Sequence, residues 1–182
     1  MTDNNITQND LMHSDWAWPP TFALAAVGGS VVAGCMMPFV AIATIAAGTL
    51  DLRRGLITIV ACWMANQIIG FGLMGYPVDA PTIGSGFALC TSMLIAFALA
   101  RRFGRPGIAG WVVTGVMGFV AYEISLYAMA HLFGGTDMFT AEIIMLIGTN
   151  ELVWFAGLLV AHSVLARALP GQFGMPLPAR TA

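Results

Sequence analysis

The sequence predicts an all-α integral membrane bundle of six transmembrane helices, or of five if residues 21–50 form a single helix. Three observations carry that reading. Hydrophobic residues are 58% of the 182-residue chain and charged residues 9%, and the mean hydropathy of +0.82 lies well above that of an ordinary soluble domain. Residues 56–76 run apolar, with no ionisable side chain but Cys62 before Tyr76, about the twenty residues a helix needs to cross a hydrocarbon core about 30 Å thick. All seven arginines, at 53, 54, 101, 102, 105, 167 and 180, fall between or after such runs, and lysine is absent. Such a chain leaves no room for a separate soluble catalytic domain and presents no basic surface for nucleic acid.

Residues 1–20 are polar and acidic and lack the basic start and cleavage site of a signal peptide, so they are expected to stay as a tail, with Trp16 and Trp18 near the headgroups. The transmembrane domain is expected over 21–168 and a Pro- and Gly-rich tail over 169–182. Residues 21–50 would make one helix about 45 Å long at 1.5 Å per residue, too long for a bilayer without strong tilt. Pro38 offers a break, which gives a first helix over 21–36 and a shorter second over 39–50. The third span covers 56–76, the fourth 83–100, the fifth 108–132 and the sixth 139–168. Between the later spans, the arginine-rich loops alternate with two arginine-free loops, 77–82 and 133–138, which carry Asp79 and Asp137. The positive-inside rule then puts the arginines in the cytoplasm and the aspartates outside, in a multi-pass protein of a bacterial inner membrane. With the Pro38 break, the N-terminus is cytoplasmic; with a single helix over 21–50 and five spans, it is outside.

This orientation gathers the polar residues of the spans toward one side. Trp63, Asn66, Gln67 and Tyr76 lie on the third span, Glu123, Tyr127 and His131 on the fifth, and Glu142, Asn150 and Glu151 on the outer half of the sixth. Glu123, Tyr127 and His131 are spaced i, i+4, i+8 and so share a helical stripe. A pocket open to the outside between the third, fifth and sixth spans follows, with Trp63, Tyr76 and Tyr127 as walls and Asn66, Gln67, Glu123, His131, Asn150 and Glu151 as recognition groups. The amides can equally act as interhelical glue, whereas an intramembrane carboxylate such as Glu123 or Glu151 marks a pathway, a site or a pair. His162 reads as an interfacial histidine and His13 as a lone tail histidine.

Small residues recur every four positions on the first helix, at Ala25, Gly29 and Ala33 and again at Ala26, Ser30 and Gly34. They form a close-packing face, for the bundle itself or for a partner in the membrane. Cys35, Cys62 and Cys90 have neither disulfide nor zinc spacing. Gly70, Gly72 and Gly75 match GxGxxG, but on a membrane helix without a βαβ unit, so they fit close packing or backbone distortion and not a dinucleotide.

The size, the six spans, the face at Ala25, Gly29 and Ala33, and the passage from Met37-Pro38-Phe39 through Leu52-Arg53-Arg54-Gly55-Leu56 together resemble the substrate-binding S-components of energy-coupling-factor vitamin transporters. In that family a pocket under the outer loops holds a vitamin or metal ion, and the first helix docks a membrane coupling subunit that works with ATPases. Solitary S-component-like proteins also exist, including ones for cobalamin; Cys62, Cys90 and His131 are the residues to test for a bond to cobalt. The resemblance implies a non-enzymatic protein for uptake of a small vitamin, cofactor precursor or metal complex. The rival reading is an accessory or assembly subunit of a larger membrane complex. An intramembrane enzyme built on Glu123, Glu151 and His131 lacks a recognisable nucleophile or metal arrangement.

Overall fold

In the computed structural model, residues 17–32, 37–105 and 107–173 are described, and among them there is no β-strand. The helices are α1 (Trp18–Val32), α2 (Phe39–Thr49), α3 (Leu52–Gln67, continued by a π-helical segment, Ile68–Leu73), α4 (Ala80–Phe103), α5 (Ile108–Phe133), α6 (Ala141–Ala168) and the single turn α7 (Pro170–Phe173). Four of these, α3 with its π segment, α4, α5 and α6, are long and apolar enough to cross a membrane. Their outer faces carry large exposed side chains such as Ile57, Val113, Ile124, Met145 and Val160, as lipid-facing surfaces do. The chain has the make-up of a multi-pass membrane protein.

Among the described residues, the first two helices do not confirm the expected pair of crossings. Their described stretches of 15 and 11 residues are about 22 and 16 Å long, shorter than the hydrocarbon thickness. The chain breaks where Pro38 removes a backbone donor and fixes φ, and α2 starts at the next residue. Contacts along α6 show where each end lies. The Trp18 indole stacks on His162, with centroids 4.8 Å apart and rings 6° from parallel, and Ala17 N–H donates to the Gln172 carbonyl. Eleven residues on, Gly29 packs against Pro38 and Trp154, halfway along α6. From there α2 returns, and at its far end Arg101, near the C-terminus of α4, donates to the Ala47 and Leu50 carbonyls. α1 and α2 therefore run as an antiparallel hairpin, with Trp18 and the end of α2 at the arginine-bearing end of the bundle and Gly29 meeting Pro38 at mid-height.

α2 is the core. Its sequence, FVAIATIAAGT, is apolar on every side, the signature of a helix buried all round, and all its residues except Gly48 are buried. Its alanines and glycine let neighbours approach closely. A Cβ at Gly48 would run into the Trp111 indole of α5, and Gly118 of α5 lies against Val40 and Thr44. Around α2 the order is α1, α3, α4, α5 and α6; α4 packs along α5, whereas α5 and α6 touch little. Local signals set the surrounding boundaries. Asp51 accepts from Arg54 N–H at the start of α3, Asp79 from Thr82 N–H at the start of α4, and Thr140 from Ile143 N–H at the start of α6. Gly107, Gly134 and Gly135 take positive φ around α5.

Candidate functional site

At the N-terminus of α2 the Phe39 N–H donates to the Met37 carbonyl, but Met37-Pro38 supplies no capping side chain for the N–H groups of Val40 and Ala41. Glu151, buried on α6, fills that role. Its Oε1 accepts from Val40 N–H at 3.1 Å and its Oε2 from Ala41 N–H at 2.8 Å. A carboxylate at a helix N-terminus meets both hydrogen-bond donors and the positive end of the dipole. In the middle of an apolar bundle those partners replace the water that the group has lost.

Beside this cap, the poor contact between α5 and α6 leaves a cavity of about 280 Å³. Val112, Gly115, Val116 and Phe119 of α5 form one wall, Gly148, Leu152 and Phe155 of α6 the other, and Val40, Ala41 and Glu151 close its inner side. Glycine faces phenylalanine on both walls, Gly115 against Phe155 and Gly148 against Phe119, which keeps the helices near each other without filling the gap. Its wall residues Val116 and Leu152 are 58% and 66% exposed, so the cavity opens sideways, toward where lipid lies around a membrane bundle. Chemically it suits an apolar body with one hydrogen-bond donor or cationic group directed at Glu151.

The nine residues expected to share a pocket are distributed over several places. Trp63 of α3 donates its indole N–H to the Gly86 carbonyl of α4 at 2.7 Å and packs near Phe87, and Gln67 lies against Gly86 as well. Asn66 is buried, and its Oδ1 has no hydrogen-bond partner. Tyr76 folds back over Gly70, its N–H bonded to the Gly70 carbonyl; the GxGxxG run is thus largely a π-helical end of α3, where glycine permits the contact. Tyr127 and His131, both exposed, meet edge to face at 4.8 Å, and Phe139 joins them at 5.2 Å. Asn150 is half-buried next to Glu151, while Glu142 is exposed near the start of α6. Glu123 is buried with one oxygen unpartnered, within electrostatic reach of Glu151 and of the buried Tyr122. Of the nine, Glu151 alone lines the cavity between α5 and α6, which sits near mid-height, on the arginine-side half of α5 and around the middle of α6.

Of the small-residue face, Ala25 packs against the core and Gly29 is buried against Pro38 and Trp154; Ala33 and Gly34 lie outside the described residues, as do His13, Trp16 and Cys35. Cys62 is buried and Cys90 half-buried, and among the described residues no three His, Cys, Asp or Glu side chains gather as a metal site would require. The sequence reading missed Arg101, which closes the other end of α2, and the pairing of Glu151 with α2. A signal was present: a helix beginning after Met37-Pro38 in an apolar setting needs an acceptor from elsewhere, and an intramembrane carboxylate can supply one. No family model, curated protein or solved structure matches the chain.

Proposed function

We propose that the chain is a membrane-embedded binding protein for a small molecule, of the vitamin or cofactor-precursor class that the S-component resemblance implies, and that the molecule is held between α5 and α6. The observation that carries this reading is the Glu151 carboxylate at the N-terminus of a half-length helix, facing an apolar cavity at mid-height. Membrane transporters build substrate sites in this way, from broken helices whose ends meet near the bilayer midplane, and irregular backbone at that depth is tolerated where protein or a cavity surrounds it. The cavity, about 280 Å³, sits at the small end of ligand sites and favours a compact apolar molecule over a corrinoid, which is far larger. Access is sideways, from the bilayer. Release inward requires either a coupling partner with an ATPase or a movement of α5 against α6, and their sparse contact makes the latter mechanically simple.

The loose seam also suits the accessory-subunit reading, in which a partner's helix lies in the same groove. One experiment separates the two. The protein is purified in a mild uncharged detergent, and native mass spectrometry records what accompanies it. Val116→Trp fills the cavity from an exposed position, and Val60→Trp places the same bulk on an exposed part of α3. A stoichiometric small molecule retained by the Val60 variant and lost from the Val116 variant is the expected result. Absence of any small molecule from the wild type, or equal retention by both variants, sinks the proposal. A membrane polypeptide that leaves only in the Val116 variant assigns the groove to a partner.

A further inference from the structure

At the arginine end, α3 and α4 border a second, open groove of about 450 Å³, separate from the cavity beside Glu151. Leu52 and Leu56 of α3 and Leu94 and Phe97 of α4 form its apolar sides, and Arg101 and Arg102 stand at its rim. No acidic side chain lines it. Asp51, the nearest acid in sequence, is engaged by Arg54, whose N–H it accepts at 2.9 Å and whose Nε lies 3.3 Å away. Both rim arginines are steadied by aromatic rings, Arg101 over Phe97 at 5.7 Å and Arg102 over Phe103 at 5.3 Å. Arg101 is further fixed by its two bonds from Nη1 to the Ala47 and Leu50 carbonyls, which leave its remaining N–H groups for another acceptor. A guanidinium held in place loses little freedom when it binds a phosphate.

An apolar shaft along two helices that ends in two positioned cations has the polarity of an anionic phospholipid. We propose that this groove binds one, with an acyl chain against Leu52, Leu56 and Leu94 and the headgroup phosphate at Arg101 and Arg102. The arrangement matches the basic pockets between membrane helices that take anionic headgroups, and the arginine end is the one the positive-inside rule turns toward the cytoplasmic leaflet. Phosphatidylcholine offers the same chains and a phosphate already neutralised by its own choline.

The test is a native mass-spectrometric titration of the purified protein, in uncharged detergent, with phosphatidylglycerol or phosphatidylcholine of identical chains. Each arginine near an anionic headgroup contributes about fivefold in affinity. Phosphatidylglycerol is therefore expected to bind more than tenfold more tightly than phosphatidylcholine, with Arg102→Gln removing about fivefold of that preference. Arg53→Gln removes an exposed arginine that does not line the groove, and is expected to leave the preference unchanged. Arg102 makes none of the bonds that hold α2, so its variant is expected to fold. Equal binding of the two lipids, or equal losses in the Arg53 and Arg102 variants, overturns the proposal. So does displacement of phosphatidylglycerol by millimolar inorganic phosphate, which would assign the arginines to a free anion.

Discussion

Two carboxylates in this chain do the same job at opposite extremes of setting. Asp79 caps α4 from three residues away, exposed at the loop end of the bundle, where it accepts from Thr82 N–H at 2.9 Å. Glu151 caps α2 from α6, 110 residues along the chain from Ala41, and is buried. At Asp79 water stands ready to take over the N–H groups if the side chain is removed. Glu151 is buried, and water is not ready at hand to replace it. The same electrostatic arrangement is therefore a local ornament in one place and a condition for the core in the other.

Glu151→Ala is the largest test of that contrast. It strands the N–H groups of Val40 and Ala41, and a buried donor left without a partner costs about 1–3 kcal/mol. A loss of about 3 kcal/mol or more is expected in denaturant unfolding in micelles followed by tryptophan fluorescence. Glu151→Gln keeps one acceptor oxygen and should fall between. If the alanine variant loses less than about 1 kcal/mol, the buried cap is not what holds the break at Pro38 together.

The contrast also explains what the sequence could convey. Spans expected at 56–76, 83–100, 108–132 and 139–168 correspond to α3 with its π segment, α4, α5 and α6, because the bilayer demands apolar runs of a given length and the arginines and turn glycines punctuate them. The Pro38 break was legible for a similarly local reason. That the two pieces on either side form a hairpin was not, since α2 is apolar on every face and its pattern names no preferred neighbour. Residue spacing likewise put Glu123, Tyr127 and His131 on one stripe, but spacing says nothing of which helix faces a stripe. Trp63 and Gln67 turn to α4, where Gly86 leaves room for them. The cavity depends on two glycine–phenylalanine contacts between α5 and α6, a long-range complementarity with no local mark.

Arg101 lies between the two extremes. It closes the C-terminal end of the same buried helix, but from the rim, where its Nη1 is only partly buried. A cation at a helix C-terminus is worth about 0.3–1 kcal/mol when exposed and up to about 2 when partly buried. Arg101→Ala is expected to cost about 1 kcal/mol in the same unfolding measurement, well below Glu151→Ala. A loss as large as that of Glu151→Ala would mean that depth is not what separates the two ends of α2.

Asp79 gives the smallest effect and the one readable through pH. The Thr82 hydroxyl and then its N–H hold the Asp79 carboxyl below its ordinary value. A carboxyl whose folded value is lowered contributes stability that is fully present above the unfolded value, about 3.9, and is lost as pH falls through the lower folded value. Thermal unfolding of wild type and Asp79→Asn across that acidic range should therefore converge. The wild type is slightly more stable at neutral pH, and the gap closes on acidification as the aspartate takes up its proton. Other carboxylates titrate in both proteins and cancel in the difference. A gap independent of pH would show that the side chain caps α4 by shape and hydrogen bonding alone, with its charge irrelevant at an exposed helix end.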